Sequence, residues 1–288
     1  MFTTAEKRAI DQLSAPSGRL AVLAADQRTK LAAGLEAAGL PSDMAAMQAF
    51  KAELVSALAP VAPAMLLDPE IALPHVADAG VLPGRTGVLV SLERSGERPG
   101  SEGLMQAELL PDVGADGVRR LGGTGAKLLV RIRADREDAS GENARLIRRV
   151  VDDCAAHQLL LVVEVLVYRL PGEDEAAFSA ARADLIREAA LLAVEAGARY
   201  LKLEYPGSEA ACAGVTAALP VPWALLSAGV DHATFCDQLR RALSAGATGF
   251  IAGRSIWKEG LALAGDERTA FFGGEARRRL EELLAIAG

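Results

Sequence analysis

Short apolar runs recur along the chain, and each is followed by a polar loop and a segment in which apolar residues have helical spacing. Several runs are unbroken strings of aliphatic residues, which is the pattern of strands covered on both faces. Eight such runs alternating with helices predict a closed parallel (β/α)8 barrel. The predicted strands lie at residues 20–25, 63–67, 87–91, 126–131, 159–165, 199–205, 223–227 and 249–252.

The chain length of 288 residues is ordinary for one barrel of this type. No low-complexity linker interrupts it, and the Gly-, Pro- and Glu-rich region 96–114 is predicted to be a long loop after the third strand. We therefore predict a single domain over residues 1–288.

The sixth predicted strand carries two charged residues, Lys202 and Glu204, which share one face because side chains alternate along a strand. Lysine is rarely buried without a reason. One interpretation is catalytic, since an unprotonated amine can attack a carbonyl group and form a Schiff base. The other is structural, a buried lysine–glutamate pair in the core.

Two further charged residues fall on neighbouring strands, Lys127 on the fourth and Glu164 on the fifth. The catalytic groups of barrels collect at the C-terminal ends of the strands, so these side chains are expected to meet Lys202 there. A second positive charge disfavours protonation of a nearby amine, so Lys127 would favour the nucleophilic form of Lys202. Glu164 could then move the protons that carbon–carbon bond cleavage requires.

The seventh and eighth strands end in glycine-containing segments, Ser227-Ala-Gly229 and Ala252-Gly-Arg254. Backbone N–H groups and an arginine at this position are typical of phosphate binding in barrels, although the glycines are also compatible with simple tight turns. The histidines His75, His157 and His232 are widely separated, so we expect no catalytic metal and no cofactor.

The net charge of −7, with no basic tract, argues against a nucleic-acid partner. Three widely spaced cysteines are typical of reduced thiols, and no apolar run reaches membrane-spanning length or forms a signal peptide. These features predict a cytoplasmic protein that acts on small molecules or on other proteins, without membrane association. Apolar outer helices would favour a homo-oligomer.

Seven segments, taken together and in order, resemble the class I aldolase family that contains tagatose-bisphosphate aldolase and sulfofructose-phosphate aldolase. The resemblance implies a Schiff-base lysine at Lys202, an acid/base at Glu164 and a supporting cation at Lys127. It also implies substrate binding by Asp26, Gln27, Arg28, Ser227, Gly229, Gly253 and Arg254. The segments are Leu20-Ala-Val-Leu-Ala-Ala-Asp-Gln-Arg28, Leu66-Leu-Asp-Pro-Glu70, Ala126-Lys-Leu-Leu129, Val163-Glu164, Leu201-Lys-Leu-Glu204, Leu226-Ser-Ala-Gly-Val230 and Ala252-Gly-Arg-Ser-Ile-Trp257.

The resemblance is divided between two branches of that family. The segments Leu66–Glu70 and Glu93–Gly96 resemble the tagatose-bisphosphate branch, whereas the compact length and Arg169-Leu-Pro-Gly172 resemble the sulfosugar branch. The expected reaction is cleavage of a ketohexose 1-phosphate, such as tagatose or fructose 1,6-bisphosphate, to dihydroxyacetone phosphate and a three-carbon aldehyde.

Three alternatives to that reaction stay open. The first is cleavage of 6-deoxy-6-sulfofructose 1-phosphate, which gives 3-sulfolactaldehyde in place of the phosphorylated aldehyde. The second is a non-covalent sugar-phosphate isomerase, and the third is a sugar-phosphate-binding regulator. The group at the far end of the sugar would be held by Arg28 and Gln27, with Lys51 as a possible additional cation.

Overall fold

The computed structural model describes residues 1–96, 98–100 and 103–288 of the chain. Its centre is a closed barrel of eight parallel strands, in which each strand pairs with the next along the chain and the last pairs with the first. The strands are β1 Leu20–Ala25, β2 Ala64–Leu67, β3 Gly87–Ser91, β4 Gly125–Arg131, β5 Leu160–Leu166, β6 Leu201–Leu203, β7 Trp223–Leu226 and β8 Gly249–Ala252.

The predicted (β/α)8 barrel is confirmed, and the predicted strand boundaries agree with the observed ones to within two residues. The largest difference is in β6, where the ladder covers 201–203 of the predicted 199–205. The apolar run is longer than the paired segment because Tyr200 already belongs to the buried cluster inside the barrel.

Helices follow the strands and cover the outside of the barrel. Five of them begin at a residue whose side chain accepts a hydrogen bond from the first helical turn, the usual signal for a helix start. The helices are α1 Thr4–Gln12, α2 Thr29–Ala37, α3 Met44–Leu58, α4 His75–Asp78, α5 Ala115–Arg120, α6 Glu142–Ala156, α7 Glu175–Glu195, α8 Glu209–Ala218, α9 His232–Ser244, α10 Arg254–Trp257, α11 Gly265–Phe271 and α12 Arg277–Ala287, with a 3₁₀ turn at Lys258–Ala262 and a π turn at Phe272–Ala276.

Two apolar clusters form the core. The larger lies between the outward faces of the strands and the surrounding helices, and the smaller fills the interior of the barrel. The smaller cluster joins Ala9 of α1 and Leu13 to the first residues of β1 and β5, Leu20 and Leu160. The N-terminal end of the barrel is therefore filled with apolar side chains, which leaves the C-terminal end for polar chemistry.

The region 96–114 after β3 contains an antiparallel pair, Arg98–Pro99 with Met105–Gln106. Glu97, Ser101 and Glu102, which belong to the same predicted loop, lie outside the described residues. Asn143 of α6 holds the region against the end of β4, because its amide donates to the carbonyls of Met105 (2.9 Å) and Arg131 (2.8 Å). In the described part of the chain, no helix has the length and apolar character needed to cross a membrane.

Candidate active site

A cavity of about 430 Å³ opens at the C-terminal ends of the strands. The loops after β1 and β3 form one side of it, and the loops after β7 and β8 form the other. All ten residues that the sequence proposes for catalysis or substrate binding line this one cavity. They are Asp26, Gln27, Arg28, Lys127, Glu164, Lys202, Ser227, Gly229, Gly253 and Arg254.

Lys202 and Glu164 are direct neighbours on β6 and β5, where the ladder pairs one with the other. The Lys202 Nζ lies 2.9 Å from Glu164 Oε2, and both side chains are less than a tenth exposed. The Lys127 Nζ lies 2.9 Å from the same carboxylate oxygen. One buried oxygen therefore contacts the amino groups of two lysines.

Lys127 is the centre of a larger group of charges. Its Nζ also donates to Glu93 Oε1 at 2.7 Å and to Asp26 Oδ2 at 2.9 Å. Burial lowers the pKa of Lys127, but the carboxylates of Asp26, Glu164 and Glu93 outweigh burial and hold that pKa well above its ordinary value. Lys127 is thus a permanent cation at neutral pH.

Two of the carboxylates that contact Lys127, those of Asp26 and Glu164, are held as anions. Burial raises the pKa of Asp26, yet the charges of Lys127 and Lys202 outweigh it and keep the pKa well below its ordinary value. The pKa of Glu164 is lowered in the same way, with burial again opposed by Lys127 and Lys202. Both groups are ionised at neutral pH and can accept a proton.

Glu93 has a central place that the sequence reasoning did not give it. Its Oε2 accepts from the backbone N–H of Leu129 at 3.0 Å while Oε1 holds Lys127, so it fixes Lys127 against β4. In the sequence, the segment Glu93–Gly96 indicates only a resemblance to the tagatose-bisphosphate branch of the family. A carboxylate directly after β3, beside a lysine on the next barrel strand, is the sequence signal that could have identified it.

Arg28 lines the cavity, but its guanidinium is already engaged. It pairs with the carboxylate of Glu70 and donates to the backbone carbonyl of Glu93. The suggested role of Lys51 at the far end of the sugar is not supported. Lys51 is buried in α3 and paired with Asp68, and it is not among the described residues that line the cavity.

Asp68 belongs to the support of the site. Besides pairing with Lys51, its carboxylate accepts from the backbone N–H groups of Glu70 (3.1 Å) and Ile71 (2.6 Å). This sets the turn after β2 that carries Glu70, the partner of Arg28. The buried Lys51–Asp68 pair therefore fixes the turn whose Glu70 holds Arg28 in the cavity wall, although Lys51 does not line the cavity itself.

On the opposite side, Ser227 and Gly229 follow β7, while Gly253 and Arg254 follow β8. Gly229 has φ +83°, and a Cβ there would lie 3.1 Å from the Arg254 Cζ, so the guanidinium packs directly on the glycine. A Cβ at Gly253 would lie 2.3 Å from the Ala24 carbonyl oxygen. The Lys258 Nζ donates to the Gly229 carbonyl at 2.9 Å and holds this loop in place.

The cavity is positively charged in a chain whose net charge is −7. Of the described residues that line it, seven are lysine or arginine and four are aspartate or glutamate. The cationic side chains occur around the whole rim, and such a lining favours an anionic ligand. The cationic residues are Arg28, Lys30, Arg94, Lys127, Arg131, Lys202 and Arg254.

The histidines lie outside this cavity, as far as the described residues show. His157 follows the last turn of α6. The expectation that His232 stands apart from other metal-ligating side chains is wrong, because it contacts Cys236 and Glu282 on the outer helices. Residues four apart on a helix share a face, so the spacing of His232 and Cys236 was the missed signal.

Curated relatives resemble the chain over most of its length. Tagatose 1,6-diphosphate aldolase 2 of Enterococcus faecalis is 27% identical over 286 residues, which covers 90% of this chain and 85% of the relative. Tagatose 1,6-diphosphate aldolase 1 of Streptococcus mutans is 27% identical over 307 residues, covering 97% and 91%.

Solved structures share the fold at lower identity. An archaeal fructose-1,6-bisphosphate aldolase, with its catalytic lysine bound covalently to a carbinolamine intermediate, matches with a TM-score of 0.64 at 16% identity, over 96% of this chain and 99% of that chain. A fructose-bisphosphate aldolase from Slackia heliotrinireducens gives a TM-score of 0.64 at 17% identity, over 95% and 92%.

A family model described as DeoC/LacD family aldolase matches residues 20–259, which span the barrel from β1 to the turn after β8. This match confirms the predicted kinship with the tagatose-bisphosphate aldolases and the predicted enzyme class, a carbon–carbon lyase. The chain belongs to the DeoC/LacD family of aldolases.

Proposed function

We propose that this aldolase acts through a Schiff base on Lys202 and cleaves a ketohexose 1,6-bisphosphate, of the tagatose or fructose type, into dihydroxyacetone phosphate and a three-carbon aldehyde phosphate. The observation that carries the proposal is the buried Lys202 amine, 2.9 Å from a carboxylate and open to a cationic cavity. The names of the curated relatives support the same reaction.

The first stage joins substrate to enzyme. The unprotonated Lys202 amine attacks the C2 ketone and forms a carbinolamine, in which the former carbonyl oxygen becomes a hydroxyl group. One of the two amine protons moves to that oxygen and makes the hydroxyl group. Glu164 holds the proton that it took from the Lys202 ammonium group when the free amine formed, and it gives this proton to the hydroxyl, which leaves as water. The product is a positively charged iminium between C2 and Lys202.

The second stage breaks the carbon–carbon bond. A carboxylate removes the proton from the C4 hydroxyl, the C4 oxygen forms the aldehyde, and the C3–C4 bonding electrons move onto the iminium to give an enamine. Protonation at C3 regenerates the iminium, and water releases dihydroxyacetone phosphate and free Lys202. We assign the proton transfers to Glu164, because its oxygen contacts the Lys202 nitrogen and its lowered pKa keeps it ionised.

Lys127 has an electrostatic role in this proposal. Its contact with Glu164 lowers the pKa of that carboxylate and keeps it ready to accept a proton. Asp26 and Glu93 also pair with Lys127, so the charge of this buried lysine is compensated.

The two anionic ends of the sugar fit opposite sides of the cavity. We place the 1-phosphate on the loops of Ser227, Gly229, Gly253 and Arg254, where backbone groups and a guanidinium lie together. The far end would lie toward the loops after β1, β3 and β4, which contribute further cations. These are Arg28, Lys30, Arg94 and Arg131.

The number of cations favours a phosphate over a sulfonate at the far end. A phosphate carries nearly two negative charges at neutral pH, and a sulfonate carries one. Cleavage of 6-deoxy-6-sulfofructose 1-phosphate is the second candidate, supported by the Arg169–Gly172 segment and by the engagement of the Arg28 guanidinium with Glu70. Both candidates use the same Schiff-base chemistry.

Covalent trapping tests the chemistry. Borohydride added in the presence of dihydroxyacetone phosphate should reduce the imine to a stable amine and leave a label on Lys202. Peptide mass mapping locates the label, and Lys202→Met is the control that should stay unlabelled. A label on another lysine would contradict the assignment, and absence of any label would favour the non-covalent isomerase.

Replacing Glu164 by Gln should lower kcat by about 100-fold or more and change KM much less, because the amide keeps the shape but accepts no proton. Steady-state kinetics give both parameters. Glu204→Gln is a matched control. Glu204 also lines the cavity, but it is held by Arg182 (2.8 Å) and by the backbone of Val167 (2.9 Å), so kcat should fall by less than about tenfold. If only KM rose in Glu164→Gln, Glu164 would be a binding residue.

Arg254→Ala should raise KM for the phosphorylated substrate by about 30- to 150-fold, which corresponds to roughly 2 to 3 kcal/mol for the loss of a charge-assisted contact. A ketose without the 1-phosphate should show no such increase. Arg254→Lys, which keeps the charge but not the two-pronged geometry, should give an intermediate value. An unchanged KM in Arg254→Ala would place the 1-phosphate elsewhere.

The substrate is decided by comparing kcat/KM, since that ratio measures differential binding of the transition state. We expect the 1,6-bisphosphates of tagatose or fructose to exceed 6-deoxy-6-sulfofructose 1-phosphate by about tenfold or more, which is about 1.4 kcal/mol. A coupled assay for dihydroxyacetone phosphate measures all three substrates. A tenfold preference for the sulfonate would overturn the choice of substrate and leave the Schiff-base proposal intact.

A further inference from the structure

Three metal-ligating side chains meet on the outer helices, away from the cavity lining that the structure describes. His232 is the first residue of α9, Cys236 follows one turn later on the same face, and Glu282 faces them from α12. The Cys236 Sγ lies 3.3 Å from the His232 Nε2, and Glu282 Oε2 lies 3.0 Å from the same nitrogen.

One straight hydrogen bond cannot serve both contacts, because a proton on His232 Nε2 can point at the Glu282 oxygen or at the weakly accepting Cys236 sulfur but not fully at both. If Nε2 of a neutral imidazole carries the proton, it can donate to Glu282 but cannot accept from the thiol. If Nε2 is unprotonated, it can accept from the thiol but its lone pair faces the carboxylate. A cation at the centre of the three ligand atoms would remove this conflict, because each atom would direct a lone pair at it.

The spacing agrees with a tetrahedral ion. With zinc distances of about 2.0 Å to nitrogen or oxygen and about 2.3 Å to sulfur, tetrahedral angles separate nitrogen from oxygen by about 3.3 Å and nitrogen from sulfur by about 3.5 Å. The observed separations of 3.0 and 3.3 Å need only a few tenths of an ångström of opening. The three ligand atoms all lie within 4.8 Å of one another.

We propose that His232, Cys236 and Glu282 bind one zinc ion, with water in the fourth position. Imidazole, thiolate and carboxylate are all zinc ligands, and the thiolate favours zinc over magnesium or calcium. Binding forms the sulfur–metal bond, and the thiol proton is released to solvent. The charge of the ion is balanced by the thiolate and the carboxylate.

Two arginines contact the Glu282 carboxylate, and zinc binding has to be compatible with both of them. Arg278 lies 3.2 Å from Glu282 Oε2, but it also forms a two-pronged pair with Glu275 at 2.9 and 3.0 Å, which it can keep when zinc binds. Arg240 is 4.0 Å from the other carboxylate oxygen. That oxygen can stay paired with an arginine while Oε2 binds the metal.

The ion would be structural. It would join the first turn of α9 to α12, and α9 begins directly after the Ser227–Val230 segment that carries Gly229. A metal that fixes this turn would stabilise the fold, and the catalytic lysines would work without it. The site is independent of the substrate and of the Schiff-base proposal.

Cobalt is the probe, because cobalt bound to a thiolate absorbs by sulfur-to-metal charge transfer. The full chain, stripped of metal by chelation and then freed of chelator, should bind one equivalent of Co²⁺ with that absorption, and Zn²⁺ should displace it. Zinc should also raise Tm by a few degrees, while kcat of the metal-free enzyme stays unchanged. A chain that takes up no stoichiometric Co²⁺ or Zn²⁺ would overturn the proposal.

Four variants locate the ion. Cys236→Ser should abolish the charge-transfer band, and Glu282→Gln, which alters a partly exposed side chain and threatens folding least, should weaken binding by about 100-fold or more. Cys154→Ser, at an equally buried cysteine, and Glu275→Gln, at the other partner of Arg278, should bind as the unaltered chain does. A charge-transfer band that persists in Cys236→Ser, or unchanged affinity in Glu282→Gln, would contradict the assignment.

Discussion

The buried ammonium group of Lys127 is the interaction on which the site depends. An isolated charge at this depth would cost several kcal/mol, so the structure must bring carboxylates to it from several elements. Asp26 comes from the end of β1, Glu93 from beyond β3 and Glu164 from β5. By sharing Glu164 with Lys202, this arrangement sets the charge state of the proposed acid/base and the environment of the proposed nucleophile together.

A second set of contacts holds the loops at the rim of the cavity in place. The Lys51–Asp68 pair shapes the turn that carries Glu70, Glu70 holds Arg28, and Arg28 in turn holds the backbone of Glu93. On the other side, Lys258 holds the Gly229 loop against Arg254. One wall of the cavity is therefore tied through Glu93 to the charges at its floor, and the opposite wall is held by the contact of Lys258 with Gly229.

Much of the site could be predicted because barrel topology converts chain order into position. Once eight strands are assigned, residues at their C-terminal ends must lie on one rim, so Lys127, Glu164 and Lys202 could be grouped from spacing alone. Strand order does not predict which charged side chains form ion pairs with one another. The sequence allowed Lys51 to bind the substrate. In the structure it lies in α3 and pairs with Asp68, directly after β2, and this contact exists only because α3 packs against that turn.

The sequence by itself determined the barrel and the rim residues, because these follow from period, order and residue type, and the resemblance of seven segments to a known family indicated an aldolase. Tertiary structure decided which charged side chains pair with one another. Glu93 became a partner of Lys127, and His232 met Glu282 across two helices that are 50 residues apart in the chain. Electrostatic energy depends on distances of a few ångströms between segments that are remote in sequence, so residue identity alone cannot specify it.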